Sequence, residues 1–292
     1  MGKEHLYVWE MTPGMLHEND AAERLYALCV GDHMDRSEVK EGKIELKAAC
    51  DGLFLVNSQK LIAVNTVEDV MIATRKGGTA VRKGDKLAGM RVIPLIIPEE
   101  KLQAAERAAG NAPLLELKPW VRKTAAIVAT GSEVKKGLIQ DTFTPVVKDK
   151  LAAYGIETLS IAYSGDGVEN VANAVTEARK TGADVILCTG GMSVDPDDNT
   201  PGGIKASGAK IVTYGAPVLP GAMFLLGYYE DGTPVMGLPG CVMYAGATIF
   251  DLILPFVAAD VPVKRQQIVA LGEGGLCLGC KPCHWPDCPF GK

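Results

Sequence analysis

Residues 124–190 read TAAIVATGSEVKKGLIQDTFTPVVKDKLAAYGIETLSIAYSGDGVENVANAVTEARKTGADVILCTG. Apolar runs at 124–130, 157–164 and 184–190 predict strands, and the amphipathic stretches between them predict helices that end at Gly155 and Gly182. Strand–helix alternation of this kind indicates a parallel sheet with right-handed crossovers and helices on both faces. The sequence therefore predicts an α/β fold, a three-layer parallel-sheet domain over residues 121–262.

The chain on either side of this domain has a different character. Between Val39 and Ile97 short apolar runs (KIELKA, GLFLV, KLIAVN, VMIATR, RVIPLII) alternate with Gly, Asp and Asn, which predicts strands. Helices are expected across NDAAERLYALCV before these runs and PEEKLQAAERAAG after them. Residues 1–120 are therefore predicted to form a small, mostly-β accessory domain, and residues 263–292 a cysteine-rich tail.

Composition excludes some classes of partner. The 292 residues include 30 Lys+Arg and 35 Asp+Glu, a formal net charge of −5, and no dense basic run is present, so nucleic acid is not an expected partner. The first residues lack a secretory pattern, from which we expect a cytoplasmic protein. The apolar stretch at 241–259 contains Asp251 and Pro255, which favours a buried helix over a membrane span.

Three glycine-rich loops follow the predicted strands: TGSE at 130–133, SGDG at 164–167 and TGGMSVDPDDNTPGG at 189–203. The carboxyl ends of parallel strands meet at one edge, so the loops are expected to form one site. Their backbone N–H groups suit a phosphorylated small molecule, with hydroxyl donors from Thr130, Ser132 and Ser193. The neighbouring acids would repel a bare phosphate, which favours a bridging divalent cation or ring N–H groups of the ligand; these acids are Asp166, Asp195, Asp197 and Asp198.

Several familiar chemistries lack their motifs. There is no Walker GxxxxGK[ST] sequence, and no GxGxxG opens the first crossover. All four histidines, His5, His17, His33 and His284, lie outside residues 121–262, which excludes a Ser–His–Asp device there. Catalysis would rest on carboxylates, a metal or positioned donors, as in phosphoryl or nucleotidyl transfer and oxyanion insertion. The alternative to a ligand-binding role for the third loop is that DPDDNTPGG is an ordinary surface loop.

A set of short motifs in fixed order carries a family resemblance. It consists of TGSE after the first strand, GD at 165–166, GGMSVDPDD after the third strand, PG at 220–221 and PVMGLPG at 234–240 before an apolar helix. Together they resemble the molybdopterin-binding domain shared by molybdopterin molybdenumtransferase and molybdopterin adenylyltransferase, and look closest to the molybdenumtransferase branch. In that branch the third loop reads GGxSxGxxD, and Asp195 stands here in place of the last glycine of that pattern.

The resemblance implies binding of molybdopterin, including its adenylylated form, with Mg2+ and molybdate nearby. The acids it assigns to contacts with metal or activated phosphate are Asp141, Asp166 and Asp198. The positions it assigns to cofactor binding are Thr130, Gly131, Ser132, Glu133, Gly190, Gly191, Ser193, Asp195, Pro220, Gly221, Pro239 and Gly240.

Two functions remain open at this point. The first is a transferase of molybdenum cofactor biosynthesis that inserts molybdate into adenylylated molybdopterin. The second is a non-catalytic carrier or sensor of the cofactor, because the flanking SxMDGYA-like segment and C-terminal β-rich domain are not recognisable and Cys241-Val242 replaces the usual Asn-Pro after LPG. Other cofactor-assembly proteins or a molybdoenzyme are the expected protein partners, and the resemblance implies a homo-oligomer.

Half of the eight cysteines crowd the C-terminus as C-x2-C-x2-C-x4-C. Four thiolates at this spacing predict a zinc or iron–sulfur site made by Cys277, Cys280, Cys283 and Cys288. Cys241 follows a turn at the predicted start of a helix, where N–H groups would favour a reactive thiolate, but the sequence favours a buried inert thiol over this hypothesis. Cys188 lies within an apolar strand and is predicted to be core.

Overall fold

The computed structural model describes residues 11–193, 195 and 198–292, so Asp197 of the third loop lies outside the described residues. The chain divides into two compact units, of which the first ends at Pro119 and the second runs over Trp120–Lys292. The second unit therefore includes both the α/β domain and the cysteine-rich segment.

The first unit consists of short antiparallel sheets with three helices in its described part, which confirms its mostly-β prediction. Its sheets have the orders β2-β3-β7-β5, β6-β4-β9 and β1-β8. Its core contains Leu25, Ile44, Phe54 and Met90, all fully buried. The elements are β1 (Met15–His17), α1 (Glu18–Cys29), β2 (Met34–Arg36), β3 (Lys43–Ala48), β4 (Gly52–Val56), α2 (Ser58–Asn65), β5 (Val70–Thr74), β6 (Thr79–Val81), β7 (Lys86–Val92), β8 (Ile96–Pro98), α3 (Glu99–Ala109) and β9 (Leu115–Pro119).

One strand prediction in this unit is wrong. The run KLIAVN lies in helix α2, and its only buried residue is Val64. The Asn57 side chain accepts a hydrogen bond from Lys60 N at 3.2 Å and so caps the helix. Four consecutive apolar residues show neither the helical nor the strand period of hydrophobic positions, so the capping residue before them decides between helix and strand.

The second unit is built on a six-stranded sheet of order β11-β10-β12-β15-β14-β13. Its elements are β10 (Thr124–Thr130), α4 (Ser132–Lys135), α5 (Phe143–Ala152), β11 (Glu157–Ser164), α6 (Val168–Lys180), β12 (Val185–Thr189), α7 (Thr200–Ala206), β13 (Lys210–Tyr214), β14 (Leu225–Tyr228), β15 (Pro234–Leu238), a 3-10 helix (Gly240–Met243), α8 (Ile249–Ala258) and α9 (Arg265–Ala270).

Strands β11, β10, β12 and β15 run parallel, as the strand–helix alternation predicts. Alternate residues of β10 face opposite layers: Ile127 packs with α5 and α8, whereas Val128 packs with α6 and α7. Strand β14 is antiparallel to both of its neighbours, because a tight turn at Gly232 joins it directly to β15. One edge of the sheet therefore holds the carboxyl ends of five strands, β10, β11, β12, β13 and β15.

The apolar stretch at 241–259 forms a buried helix that is shorter than the stretch itself. Helix α8 begins after Thr248, whose side chain and the Asp251 side chain form a reciprocal capping box. Pro255 lies inside the helix, which ends at Ala258. Within the described residues, no helix has both the length and the apolar character needed to cross a bilayer.

The cysteine-rich segment packs against the sheet of the second unit. Cys277 N donates to Leu219 O at 2.8 Å, and Leu219 N donates to Gly275 O at 2.8 Å. Phe290 is 2% exposed and lies in the same apolar cluster as α5 and α8. The segment is therefore seated by backbone hydrogen bonds and by one buried aromatic ring.

Replacing Phe290 by Ala is expected to lower the free energy of unfolding of the second unit by about 3 kcal/mol, because a buried ring leaves a cavity. Leu278→Ala is the control, since Leu278 is 70% exposed and its loss should change stability by less than about 0.5 kcal/mol. Urea unfolding followed by tryptophan fluorescence measures both. Equal, negligible effects would contradict the seating of this segment.

Candidate functional site

The first and third loops are joined through buried hydroxyl groups. Thr130 Oγ1 lies 2.9 Å from both Thr189 O and Thr200 Oγ1, and Thr200 Oγ1 donates to Gly190 O at 2.8 Å. Thr130, Thr189 and Thr200 are all buried. The Thr130 hydroxyl is therefore bonded within the protein, and its role in the site is to hold the two loops together.

The first and second loops are joined by a reciprocal pair of hydrogen bonds. Ser132 N donates to Asp166 Oδ2 at 3.3 Å, and Asp166 N donates to Ser132 Oγ at 3.4 Å. Gly131 N also donates to Ser164 O at 3.0 Å. Glu133 lies in the short helix α4 with an exposed side chain. The three predicted loops thus meet at one edge of the sheet.

Two glycines allow the third loop to approach the first. Gly190 has φ +80°, and a Cβ placed on it would lie 2.3 Å from Thr130 O. Gly191 has φ +54°, and its Cβ would lie 2.8 Å from Thr200 Oγ1. Both positions exclude a side chain because the loops pack against each other there.

Tyr214 holds the third loop from the end of β13. Its hydroxyl lies 3.0 Å from Met192 O and 3.2 Å from Ser193 O, within donating distance of both carbonyls. Burial and the negative charge of Asp198 raise the pKa of the Tyr214 hydroxyl, so it stays protonated and able to donate. Within the loop, Asp195 N donates to Asp198 Oδ2 at 3.3 Å. Sequence reasoning missed Tyr214, although its place at the carboxyl end of a strand was a usable signal.

Asp141 combines a structural bond with an unused acceptor. Its Oδ1 accepts from Phe143 N at 3.0 Å and from Thr144 N at 2.9 Å, so Asp141 caps the first turn of α5. Its Oδ2 is buried and has no hydrogen-bond partner within 3.5 Å among the described residues, and the same holds for Thr144 Oγ1. Burial raises the pKa of the adjacent Tyr163 hydroxyl, and the Asp141 carboxylate raises it further, through its charge and as a hydrogen-bond acceptor. A buried carboxylate oxygen without a partner is a position at which a cation or an N–H donor fits.

The two Pro-Gly pairs lie at the same edge. Gly221 has φ +127°, and a Cβ there would lie 2.4 Å from Ile249 Cγ2. Ile249 N donates to Pro220 O at 3.3 Å, so this pair anchors the start of α8. Pro239 precedes the 3-10 helix that begins at Gly240, where a Cβ would meet open space.

Residues 126–259 match the family described as "Probable molybdopterin binding domain". This part of the chain is a domain of that family. A CinA-like protein of Desulfosudis oleivorans is 40% identical over 86 residues, which are 30% of this chain and 21% of that protein. A probable FAD synthase of Caenorhabditis briggsae is 34% identical over 82 residues, 28% of this chain and 16% of that protein. The chain thus spans only about a fifth of the length of these curated relatives.

Solved structures match parts of the chain at low sequence identity and low TM-score. The molybdopterin biosynthesis enzyme MoaB of Thermus thermophilus is 20% identical, with a TM-score of 0.40, and the match covers 46% of this chain and 91% of that one. The molybdopterin biosynthesis moea protein of Pyrococcus horikosii is 16% identical, with a TM-score of 0.39 and coverage of 84% and 79%.

Two cysteines of the molybdopterin-binding domain have raised thiol pKa values. Burial raises the pKa of Cys188 to about 12, and this residue is fully buried, as predicted for a core position. Burial also raises the pKa of Cys241; the backbone N–H of Cys241 itself opposes this rise in part, and the charge of Asp251 adds a smaller increase. The hypothesis of a reactive thiolate at Cys241 is therefore not supported, because desolvation outweighs the N–H groups of the 3-10 helix.

The four tail cysteines are not arranged as a metal site. Cys280 and Cys283 are exposed, whereas Cys277 and Cys288 are partly buried against the apolar cluster that contains α5 and α8. Across residues 11–193, 195 and 198–292, no group of three or more His, Cys, Asp or Glu side chains is placed to hold a metal ion. The predicted zinc or iron–sulfur site therefore does not fit the conformation of these described residues.

Gly190→Ala is expected to destabilise the molybdopterin-binding domain by more than about 2 kcal/mol, because the added methyl meets a backbone oxygen and φ is positive. Gly165→Ala is the matched control in the second loop. Its Cβ would meet Ser132 Oγ at 3.6 Å, an ordinary contact, so a change below about 0.5 kcal/mol is expected. Urea unfolding of both variants checks this; similar losses would contradict the assigned loop contact.

Tyr214→Phe is expected to speed hydrogen exchange at the amides of Met192 and Ser193 and to cost about 1 kcal/mol of stability, because two carbonyls lose a donor. Tyr244→Phe serves as the control, since Tyr244 is 79% exposed. Amide hydrogen exchange of both variants and of the wild type, followed by mass spectrometry or NMR, measures this effect. Unchanged exchange in Tyr214→Phe would show that another contact holds the loop.

Proposed function

We propose that residues 121–262 bind molybdopterin, including its adenylylated form, at the edge where the three loops meet. The protein then acts in molybdenum cofactor biosynthesis, and its reaction is the insertion of molybdate into the bound pterin. The family match over residues 126–259 and the joining of the predicted loops at one sheet edge support this proposal.

The observation that carries the proposal is the buried Oδ2 of Asp141, which lies beside the Tyr163 hydroxyl and has no hydrogen-bond partner within 3.5 Å among the described residues. A buried carboxylate oxygen without a partner costs free energy, and a ligand that donates a hydrogen bond or a cation to this oxygen removes that cost. Asp166 and Asp198 each use Oδ2 to hold a loop amide, and a carboxylate has a second oxygen that can accept from a ligand. We infer that these carboxylates accept from the N–H groups of the pterin, and that one or two of them contact a phosphate-bound Mg2+.

Magnesium, when bound, would neutralise phosphate charge and favour loss of AMP from the adenylylated cofactor. Asp141, Asp166 and Asp198 are not grouped as a three-ligand metal site in the described residues, so Mg2+ would be carried by the ligand phosphate and would meet one or two of these carboxylates. The protein itself positions the ligand. Tyr214 fixes the third loop, and the Thr130 network fixes the distance between the first and third loops.

A second candidate is a non-catalytic carrier or sensor of the cofactor, which would bind the pterin without turnover. The relative named as a probable FAD synthase adds flavin nucleotides as a competing ligand class. Other cofactor-assembly proteins, a molybdoenzyme and a second copy of this chain are proposed protein partners under either function.

The test is anaerobic incubation of the purified protein with adenylylated molybdopterin, Mg2+ and molybdate, followed by measurement of AMP and of metal in the pterin fraction. Release of AMP with formation of metallated cofactor supports the insertion reaction. Stoichiometric pterin binding without AMP would favour the carrier, and preferential binding of FMN or FAD would overturn the pterin assignment.

Asp141→Asn separates the ligand role of this residue from its capping role. The amide oxygen can still accept from Phe143 N and Thr144 N, so stability should change by less than about 0.5 kcal/mol. The group at the Oδ2 position loses its charge, so AMP release or pterin affinity is expected to fall by roughly 10- to 100-fold. Asp149→Asn, on the exposed side of α5, is the control. Wild-type behaviour of Asp141→Asn would limit Asp141 to the cap.

A further inference from the structure

The loops at the candidate site carry many more acids than bases. Glu133, Asp141, Asp166, Asp195, Asp197 and Asp198 lie in or near them in the sequence, and the nearest basic residues along the chain are Lys135, Lys136 and Lys205. Such an edge repels a phosphorylated ligand at any distance within the screening length of about 8 Å. A phosphate therefore requires a local positive charge, and a bound cation is one of two ways to supply it.

Lys135 supplies the second way because its side chain reaches across to another loop. It belongs to α4, and its N donates to Gly131 O at 3.0 Å. Its Cδ and Nζ lie 3.7 Å and 4.0 Å from the position that a Cβ on Gly165 would occupy. The ammonium group therefore lies above the second loop, beside the place where Ser132 and Asp166 bond each other.

The Lys135 ammonium is available for a ligand. In the described part of the chain it forms no ion pair within 4.0 Å, unlike Lys150, which pairs with Asp251 at 2.5 Å. The side chain is exposed, and the absence of a side chain on Gly165 leaves its path across the loop open. Lys136 follows directly in the chain but points about 100° away around the helix axis.

We propose that Lys135 binds the phosphate group of the ligand and makes the site selective for phosphorylated over unphosphorylated pterins. The inference rests on the proposed function, because it assigns a residue to one end of that ligand. Lys135 acts as a point charge above the second loop, and the N–H groups of the loops complete the phosphate contacts. The carboxylates of the loops can then contact a bound cation and the pterin ring.

The test is binding of molybdopterin and of its phosphatase-treated form to the full chain, measured by pterin fluorescence under anaerobic conditions. Lys135→Met keeps the aliphatic stem and removes the charge. It is expected to weaken molybdopterin binding roughly tenfold and to leave the dephosphorylated ligand unaffected, with the exposed position limiting the effect. Lys135→Arg should restore most of the affinity, and Lys136→Met should match wild type.

Salt and a pterin-free probe make the result specific. Wild-type affinity for molybdopterin should fall as NaCl rises, and this dependence should flatten in Lys135→Met. Inorganic pyrophosphate, measured by calorimetry, should bind the wild type and lose affinity in Lys135→Met but not in Lys136→Met. These two probes separate the charge contact from recognition of the pterin ring.

Each outcome decides between the two proposals. Equal affinity of wild type and Lys135→Met for molybdopterin, or an equal loss for both pterin forms, overturns the role of Lys135 and leaves the proposed function standing. Pyrophosphate binding that depends on Lys135, without binding of either pterin, supports the anion site and overturns the pterin function. Absence of binding by every probe to the wild type overturns both.

Discussion

The hydroxyl of Thr130 is the contact on which the candidate site depends. It joins the end of β10 to Thr189 and Thr200, and it does so in a space that only a glycine at position 190 leaves open. Because β10 is an interior strand that pairs with both β11 and β12, this contact fixes the positions of the first and third loops relative to the sheet. A buried hydroxyl network of this kind holds one loop arrangement, since each lost bond would leave a buried polar atom unsatisfied.

The sequence predicts the α/β domain well because strand and helix periods are unambiguous there. Buried β-runs such as VILCT and the amphipathic helix α6 have strong patterns, and each ends at a glycine or a loop. KLIAVN was predicted wrongly because its apolar residues are consecutive and a local cap decides between helix and strand. The 241–259 stretch is apolar throughout, so composition alone could not place the start of α8 at the Thr248–Asp251 capping box.

The site was predictable to the level of its loops but not of its atoms. The positions of the loops after the strands predicted that Ser132 and Asp166 would lie at one edge of the sheet. The sequence could not predict their reciprocal hydrogen bonds, the buried hydroxyl of Thr130 or the contacts of Tyr214 with the third loop, because these depend on distances between strands that are remote in the sequence. The cysteine spacing illustrates the opposite case. It is compatible with a metal site, but backbone pairing of Leu219 with the segment and burial of Phe290 determine where the thiols lie.

The central claim is that the ligand binds where these loops meet, and amide hydrogen exchange with and without molybdopterin tests it most directly. The account predicts slower exchange on ligand addition at residues 130–135, 164–167 and 189–193, with the first unit and residues 276–292 unchanged. Protection confined to the cysteine-rich segment or to the first unit, with these loops unaffected, would contradict it.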